Sequence, residues 1–245
     1  MEKNACLVVL TDTRYLPGTR RLLESWDNHN PILPVVALSH EPTALQAPFL
    51  LKRCAQRIAI DPQTYVDIKP YKKRRSMRHA QTFYKFEAFS NFGYDINLFL
   101  DSDILCLRPA PRLLHPSNAQ LQAAPDTGFK KTRGYKGHAN EINSGVLVID
   151  RSIQGLETIN ALKEIALNNP GRGGYNAGDQ GIINKWIHRN SIRLELLPSS
   201  YNLIKKDYAD QADLETCQLL HFAAHKPWFD NPSHPSKPLE RLWVE

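Results

Sequence analysis

The chain is short of cysteine, of long apolar runs and of repetition, and each shortage removes a class of protein. Its four cysteines, Cys6, Cys54, Cys106 and Cys217, are scattered, and no two form a C-x-x-C pair. A disulfide framework is therefore not expected, and a reducing compartment suits such unpaired thiols better. No apolar stretch approaches the ~20 residues that would span a bilayer. The apolar run at residues 5–10 is too short for the core of a signal peptide. For a whole chain, these shortages lead to the expectation of a cytoplasmic protein without a transmembrane segment. There is no internal repeat and no low-complexity segment.

What is present points to one globular domain. Of 245 residues, 42% are hydrophobic and 23% charged, which suits a sizeable core and argues against global disorder. That length predicts a single large domain. The formal charge, 31 − 25 = +6, implies an anionic partner. A nucleotide, a phosphate, an acidic glycan or a peripheral membrane contact would each satisfy it. The cationic run Lys72-Lys73-Arg74-Arg75 reads either as a solvated loop or as an anion-binding flap. Elsewhere the basic residues are dispersed, with no zinc-finger spacing and no aromatic RNA-binding run, so no nucleic-acid partner is expected.

Short apolar runs rich in Val, Ile and Leu predict strands at 6–10, 34–38, 57–60, 96–100, 121–124, 146–149, 192–196 and 219–222. Helices are predicted at 19–26, 82–91, 153–167 and 181–188. This alternation predicts an α/β fold with a mixed, mostly parallel sheet flanked by helices. Ligands of such sheets bind at the carboxyl ends of the strands. The Gly/Asn-dense stretch 168–178 reads as a loop, and the tail from Pro227, with its closely spaced prolines, as an extended wrap.

The strongest local signal is Asn97-Leu-Phe-Leu-Asp-Ser-Asp-Ile104, an apolar strand ending in Asp101 and Asp103. In extended chain the two carboxylates would share one side, repel one another, and call for a cation between them. Mg²⁺ or Mn²⁺ bridging to substrate phosphates is the economical choice. On the same reasoning, removing Asp103 should relieve repulsion in the metal-free protein. His221, at another strand end, would complete a mixed N/O donor set suited to Mn²⁺. Lys226 follows as a point cation for phosphate.

Together these motifs resemble the family 8 retaining glycosyltransferases, the group containing glycogenin and bacterial lipopolysaccharide galactosyl- and glucosyltransferases. The resemblance runs from Val8 to Trp228 with the motifs in family order. It implies a GT-A fold with a nucleotide-binding half over about 1–105 and a donor-sugar and acceptor half over about 106–245. Residues 9–18 look like the loop that holds uracil and ribose, so Thr11, Asp12 and Tyr15 would touch the nucleotide. Thr82-Phe-Tyr-Lys85 carries over Lys85, and Asp101-Ser-Asp103 matches the family D-x-D, with Ser102 between the ligands. Asn143-Ser-Gly-Val146 resembles the motif that lines the donor sugar, giving Asn143 and Ser144. Gly178-Asp-Gln-Gly-Ile-Ile-Asn184 resembles G-D-Q-x-x-x-N, giving Asp179 and Gln180. Residues 221–228 resemble H-F-x-x-x-x-K-P-W, with Ala224 where glycine is usual. Asn176 stands where glycogenin-like members carry an acid.

The activity implied is metal-dependent transfer of a hexosyl group from a UDP-sugar to an acceptor hydroxyl with retention of configuration. Glycan, lipid-linked and protein acceptors are all compatible with it. Gln180 is a poor nucleophile, which favours front-face attack over two displacements. A non-catalytic sugar-nucleotide binder is the main alternative. A haloacid-dehalogenase-like phosphatase would also place D-x-D after a strand. It would need a second acid four residues after Asp179, where Ile183 stands.

Overall fold

The computed structural model describes residues 4–68, 77–115, 117–126, 141–168, 178–205, 211–223, 226–229 and 237–244. A seven-stranded sheet runs in the order β3-β2-β1-β4-β7-β6-β8. The strands are β1 Ala5–Leu10, β2 Val35–Ser39, β3 Cys54–Ala59, β4 Ile96–Leu100, β6 Leu121–Pro125, β7 Ile142–Asp150 and β8 Leu194–Leu196. β3, β2, β1 and β4 are mutually parallel, β7 runs antiparallel between β4 and β6, and β8 is parallel to β6. A three-stranded sheet joins β5 Ile104–Cys106, β10 Leu219–His221 and β9 Leu203–Ile204.

The central strands are apolar on both faces because both faces are covered. Leu7, Val9, Leu98 and Leu100 pack towards helix α1 (Leu16–His29), against Leu22, Leu23 and Trp26. Cys6, Val8 and Phe99 face the other way, into a core shared with α3 (Leu156–Leu167) and α4 (Asp179–Arg189). Phe99 is fully buried there, and its truncation to Ala would cost about 3–5 kcal/mol.

The structure departs from the expected elements in several places. Residues Met77–Phe89 wind as a 3-10 helix. With three residues per turn, side chains three apart eclipse, so Phe83, Phe86 and Phe89 line up on the buried face. The adjacent row brings Thr82 and Lys85 to the cavity described below. β7 begins four residues earlier than the apolar run, which puts Asn143 and Ser144 inside a strand. Helix α2 (Pro48–Arg53), β5 and β9 are short and were not expected. The tail after Pro227 is not wholly extended, since it ends in helix α6 (Lys237–Val244), preceded in the chain by α5 (Gln211–Thr216). Leu239 and Trp243 are buried, and a buried apolar stripe holds a helix more firmly than proline upstream disfavours one. No helix among the described residues is long and apolar enough to cross a membrane. Lys72–Arg75, Asn176, Ala224 and His225 lie outside the described residues.

Candidate active site

Because β7 is antiparallel to β4, its first residues meet the end of β4, and Asp101 N donates to Gly145 O at 2.9 Å. β10 runs antiparallel to β5 with His221 opposite Ile104, and Phe222 N donates to Asp103 O at 2.9 Å. Three chain segments distant in sequence thereby converge at one point. Asp101, Ser102 and Asp103 do not continue the strand; they form a turn closed by Ile104 N donating to Asp101 O at 3.1 Å. The carboxylates meet through that turn, where extended chain was expected. Each of Asp101, Asp103 and His221 offers a ligand atom, and these atoms lie within 4.8 Å of one another. His221 Nε2 stands 3.2 Å from Asp103 Oδ1 and 3.8 Å from Asp101 Oδ2. Two carboxylates and one imidazole are a donor set that fits Mn²⁺ or Mg²⁺.

The orientation of His221 is set from behind. Gln180 Nε2 donates to Asp126 Oδ2 (2.8 Å), and Asn143 Nδ2 donates to Gln180 Oε1 (3.0 Å). Asn202 Nδ2 donates to Asn143 Oδ1 (2.8 Å), and His221 Nδ1 lies 2.9 Å from Asn202 Oδ1. A carboxylate end that accepts makes every amide in this chain point the same way. The Nδ1–H of His221 is then held by Asn202, which turns Nε2 towards the carboxylates. Gly145 makes room for the ring, since a Cβ there would sit 2.5 Å from its Cε1. Neither Asp126 nor Asn202 stood out in the sequence, because a lone Asp after a strand and a lone Asn in a loop carry no spacing signal.

Two lysines divide the carboxylates between them. Lys85 Nζ, buried, lies 3.0 Å from Asp101 Oδ1 and 2.8 Å from Asp179 Oδ2, and donates to Ser144 Oγ at 3.1 Å. Lys226 pairs with Asp103 Oδ2 and donates to Phe222 O at 3.1 Å. Burial raises the Asp101 carboxyl, and Lys85 only partly offsets it. Burial also pushes Asp103 upward, but Lys226 and then His221 overcome it and hold that carboxyl well below the usual range. The disfavoured charge of the pair is thus on Asp101, which Asp103 repels as expected, while Asp103 itself is compensated by Lys226 and His221. For both lysines burial works against the charge, yet the facing aspartates prevail and raise their pKa values.

The other site residues singled out from the sequence that fall among the described residues line the same cavity, of about 430 Å³, with Asp101, Asp103 and His221. Asp12 Oδ1 accepts from the amides of Arg14 and Tyr15 (2.8 and 2.9 Å), which shapes the loop before α1. Glu41 tightens that loop from the end of β2 by accepting from Thr13 N at 2.8 Å. Thr11 Oγ1 accepts from Thr19 Oγ1 at 2.7 Å. Ser102 Oγ donates to Leu10 O at 2.6 Å, so this side chain ties the D-x-D turn to β1. Tyr15 packs edge-on against Trp228 and Phe229, centroids 5.7 and 5.9 Å apart. Ser144 Oγ donates to Asp179 Oδ2 at 2.9 Å. Gln180 lies in the first turn of α4, where its side chain joins the amide chain and does not cap the helix. His40, Gln81 and Tyr84 also line the cavity and were missed.

A mixed sheet whose strand ends gather paired carboxylates, a histidine and two lysines around one cavity is the GT-A fold of glycosyltransferases. The chain belongs to glycosyl transferase family 8, whose model matches residues 6–232. This membership sets aside the phosphatase alternative. Among curated proteins, the chain is 30% identical over 162 residues to a protein of Arabidopsis thaliana named as UDP-glucuronate:xylan alpha-glucuronosyltransferase 5. It is 26% identical over 152 residues to UDP-glucuronate:xylan alpha-glucuronosyltransferase 2 of the same organism. These matches cover 65% and 59% of this chain but only 25% and 22% of the relatives, so the chain spans about a quarter of their length. A crystal structure of galactosyltransferase LgtC with donor and acceptor sugar analogues superposes with a TM-score of 0.68 at 16% identity. That match covers 98% of this chain and 95% of LgtC. The glycosyltransferase GlyE of Streptococcus pneumoniae TIGR4 gives 0.67 at 20% identity, over 98% of this chain and 60% of GlyE.

Proposed function

We propose that this chain transfers a hexosyl group from a UDP-sugar to an acceptor hydroxyl, with a divalent metal and with retention of anomeric configuration. The observation that carries the reading is the convergence of Asp101, Asp103 and His221 on one point of a cavity that also holds Lys85 and Lys226. Residues up to about 105 supply the nucleotide end, with Thr11, Asp12 and Tyr15 against base and ribose. Later residues supply the donor-sugar and acceptor end. Asp101, Asp103 and His221 would hold Mn²⁺ or Mg²⁺, which neutralises the diphosphate and stabilises charge on departing UDP. Lys226, held at Asp103, adds its charge to a phosphate oxygen beside that carboxylate. Asn143, Ser144 and Asp179 engage the sugar hydroxyls.

Retention through two displacements would need a free carboxylate under the anomeric carbon. Asp179 is occupied by Lys85 and Ser144, and Gln180 is an amide. Front-face attack fits better: the departing phosphate oxygen takes the acceptor's proton, and the Gln180 carbonyl supports positive charge on the sugar. Gln180→Ala should then slow turnover by ~10–100-fold, or about 1.4–2.7 kcal/mol, without abolishing it. Asp179→Asn should do more damage, because it also loosens Lys85.

The test is UDP release from a panel of UDP-hexoses and UDP-glucuronate, with Mn²⁺ or with EDTA, with and without saccharide acceptors. Metal-dependent release that rises with acceptor, and a product of unchanged anomeric configuration by NMR, is the expected result. Binding of the donor with no release would leave the non-catalytic reading, and an inverted product would overturn the mechanism.

A further inference from the structure

The helix α6 lies outside the cavity, yet it is attached to the end of β10 and to the 226–229 segment, which bring His221 and Lys226 to the cavity's wall, and to Lys205 and α1 behind them. Trp243 stacks on Trp228, with centroids 4.9 Å apart and planes tilted by 35°, and meets Phe222 edge-on at 5.0 Å. Lys205 Nζ, on a side chain only 1% exposed, reaches Glu240 Oε1 at 3.0 Å. An Arg21 nitrogen of α1 donates to Leu242 O at 3.2 Å. Trp228 in turn donates its indole N–H to Arg14 O at 2.9 Å and packs against Tyr15. Its ring fills the space over Gly18, where a Cβ would lie 2.5 Å from Cη2. Two residues before Trp228 in the chain stands Lys226, held at Asp103.

We propose that α6 is a brace: Trp243, with the Lys205–Glu240 pair, positions the 226–229 segment so that Lys226, and Tyr15 backed by Trp228, present a preformed diphosphate and nucleoside wall. The inference rests on the UDP-sugar reading above. The physical reason is preorganisation. A short segment carrying a lysine and an indole would lose conformational freedom when ligand bound, and the stack on Trp243 has already removed that freedom. Buried ion pairs are poor stabilisers but good at fixing one arrangement, which is the role Lys205–Glu240 has here. Trp243 and Glu240 touch no ligand; they are positioning residues acting through Lys226 and Trp228.

The experiment is calorimetric titration of UDP in the presence of Mn²⁺ into the full chain and its variants. Trp243→Leu should weaken UDP binding by about tenfold, in the range seen when groups supporting a ligand site are removed. Trp243→Phe should stay within about twofold of the parent. Because Trp243 acts through Lys226, Lys226→Met should cost far less in the Trp243→Leu background than alone, whereas a merely structural role would leave the two effects multiplicative. Glu240→Gln keeps the volume and guards against a folding defect in Trp243→Leu; it should weaken UDP binding about threefold while melting cooperatively. Parent-like UDP affinity in a folded Trp243→Leu or Glu240→Gln protein, or multiplicative effects in the double variant, would overturn the brace alone. A parent chain that does not bind UDP would overturn the functional reading and the brace with it.

Discussion

Asp101 and Asp103 sit two residues apart under opposite electrostatic conditions. Asp103 is held ionised by Lys226 and His221, whereas burial works against the charge on Asp101. In EDTA at pH 7, Asp101→Asn should raise the melting temperature and Asp103→Asn should lower it. Each kcal/mol would move it about 2–4 °C in a chain of this size, and differential scanning fluorimetry reads both. The pH dependence follows from the same signs. The depressed Asp103 carboxyl stabilises the fold above the unfolded value of ~3.9, and that stability is lost as pH falls through its lower folded value. Asn202 belongs to this scale too. Asn202→Leu should free the His221 ring and weaken Mn²⁺·UDP binding by ~10–100-fold, measurable by calorimetry, with little change in far-UV circular dichroism.

The elements around the site explain what could be read from sequence. β1, β2 and β4 were legible because strands buried on both faces are continuous apolar runs, and the D-x-D stood out because paired acids follow one of them. β7 was legible only over 146–149, since residues 143–145 are Asn, Ser and Gly and enter the strand at its end paired with β6. The 3-10 helix hid behind an α-helical reading, as its spacing of three shows only once Phe83, Phe86 and Phe89 are known to share a face. The convergence of His221 with Asp103 depends on β5–β10 pairing across more than a hundred residues, which no local pattern encodes. Family motifs supplied what spacing could not, and they said nothing of Asp126, Asn202 or α6. Gly145→Ala tests the β7–β10 junction. Its Cβ would overlap the His221 ring, so about 1–3 kcal/mol of stability should be lost, together with metal binding. Chemical denaturation with and without Mn²⁺ and UDP measures both.

For the whole molecule, the four thiols report on how the layers are sealed. Burial pushes Cys6 and Cys217 up to about 12 and Cys54 and Cys106 up to about 11. A thiol whose folded pKa is raised stabilises fully below the unfolded value of ~8.5, and that stability is lost as pH climbs towards the folded value. Near pH 9.5 each of the buried thiols Cys6, Cys106 and Cys217 should therefore cost roughly 1 kcal/mol, and Cys6→Ala should flatten the fall in melting temperature between pH 7.5 and 9.5. The central claim, that strands from both halves of the chain build one metal-diphosphate site, is tested most directly by anomalous diffraction at the manganese edge from crystals grown with UDP and Mn²⁺. The account predicts one strong peak ~2.0–2.6 Å from Asp101, Asp103 and His221, with diphosphate oxygens completing the shell. UDP bound in the cavity with no peak between those three side chains, or a peak elsewhere, would contradict it.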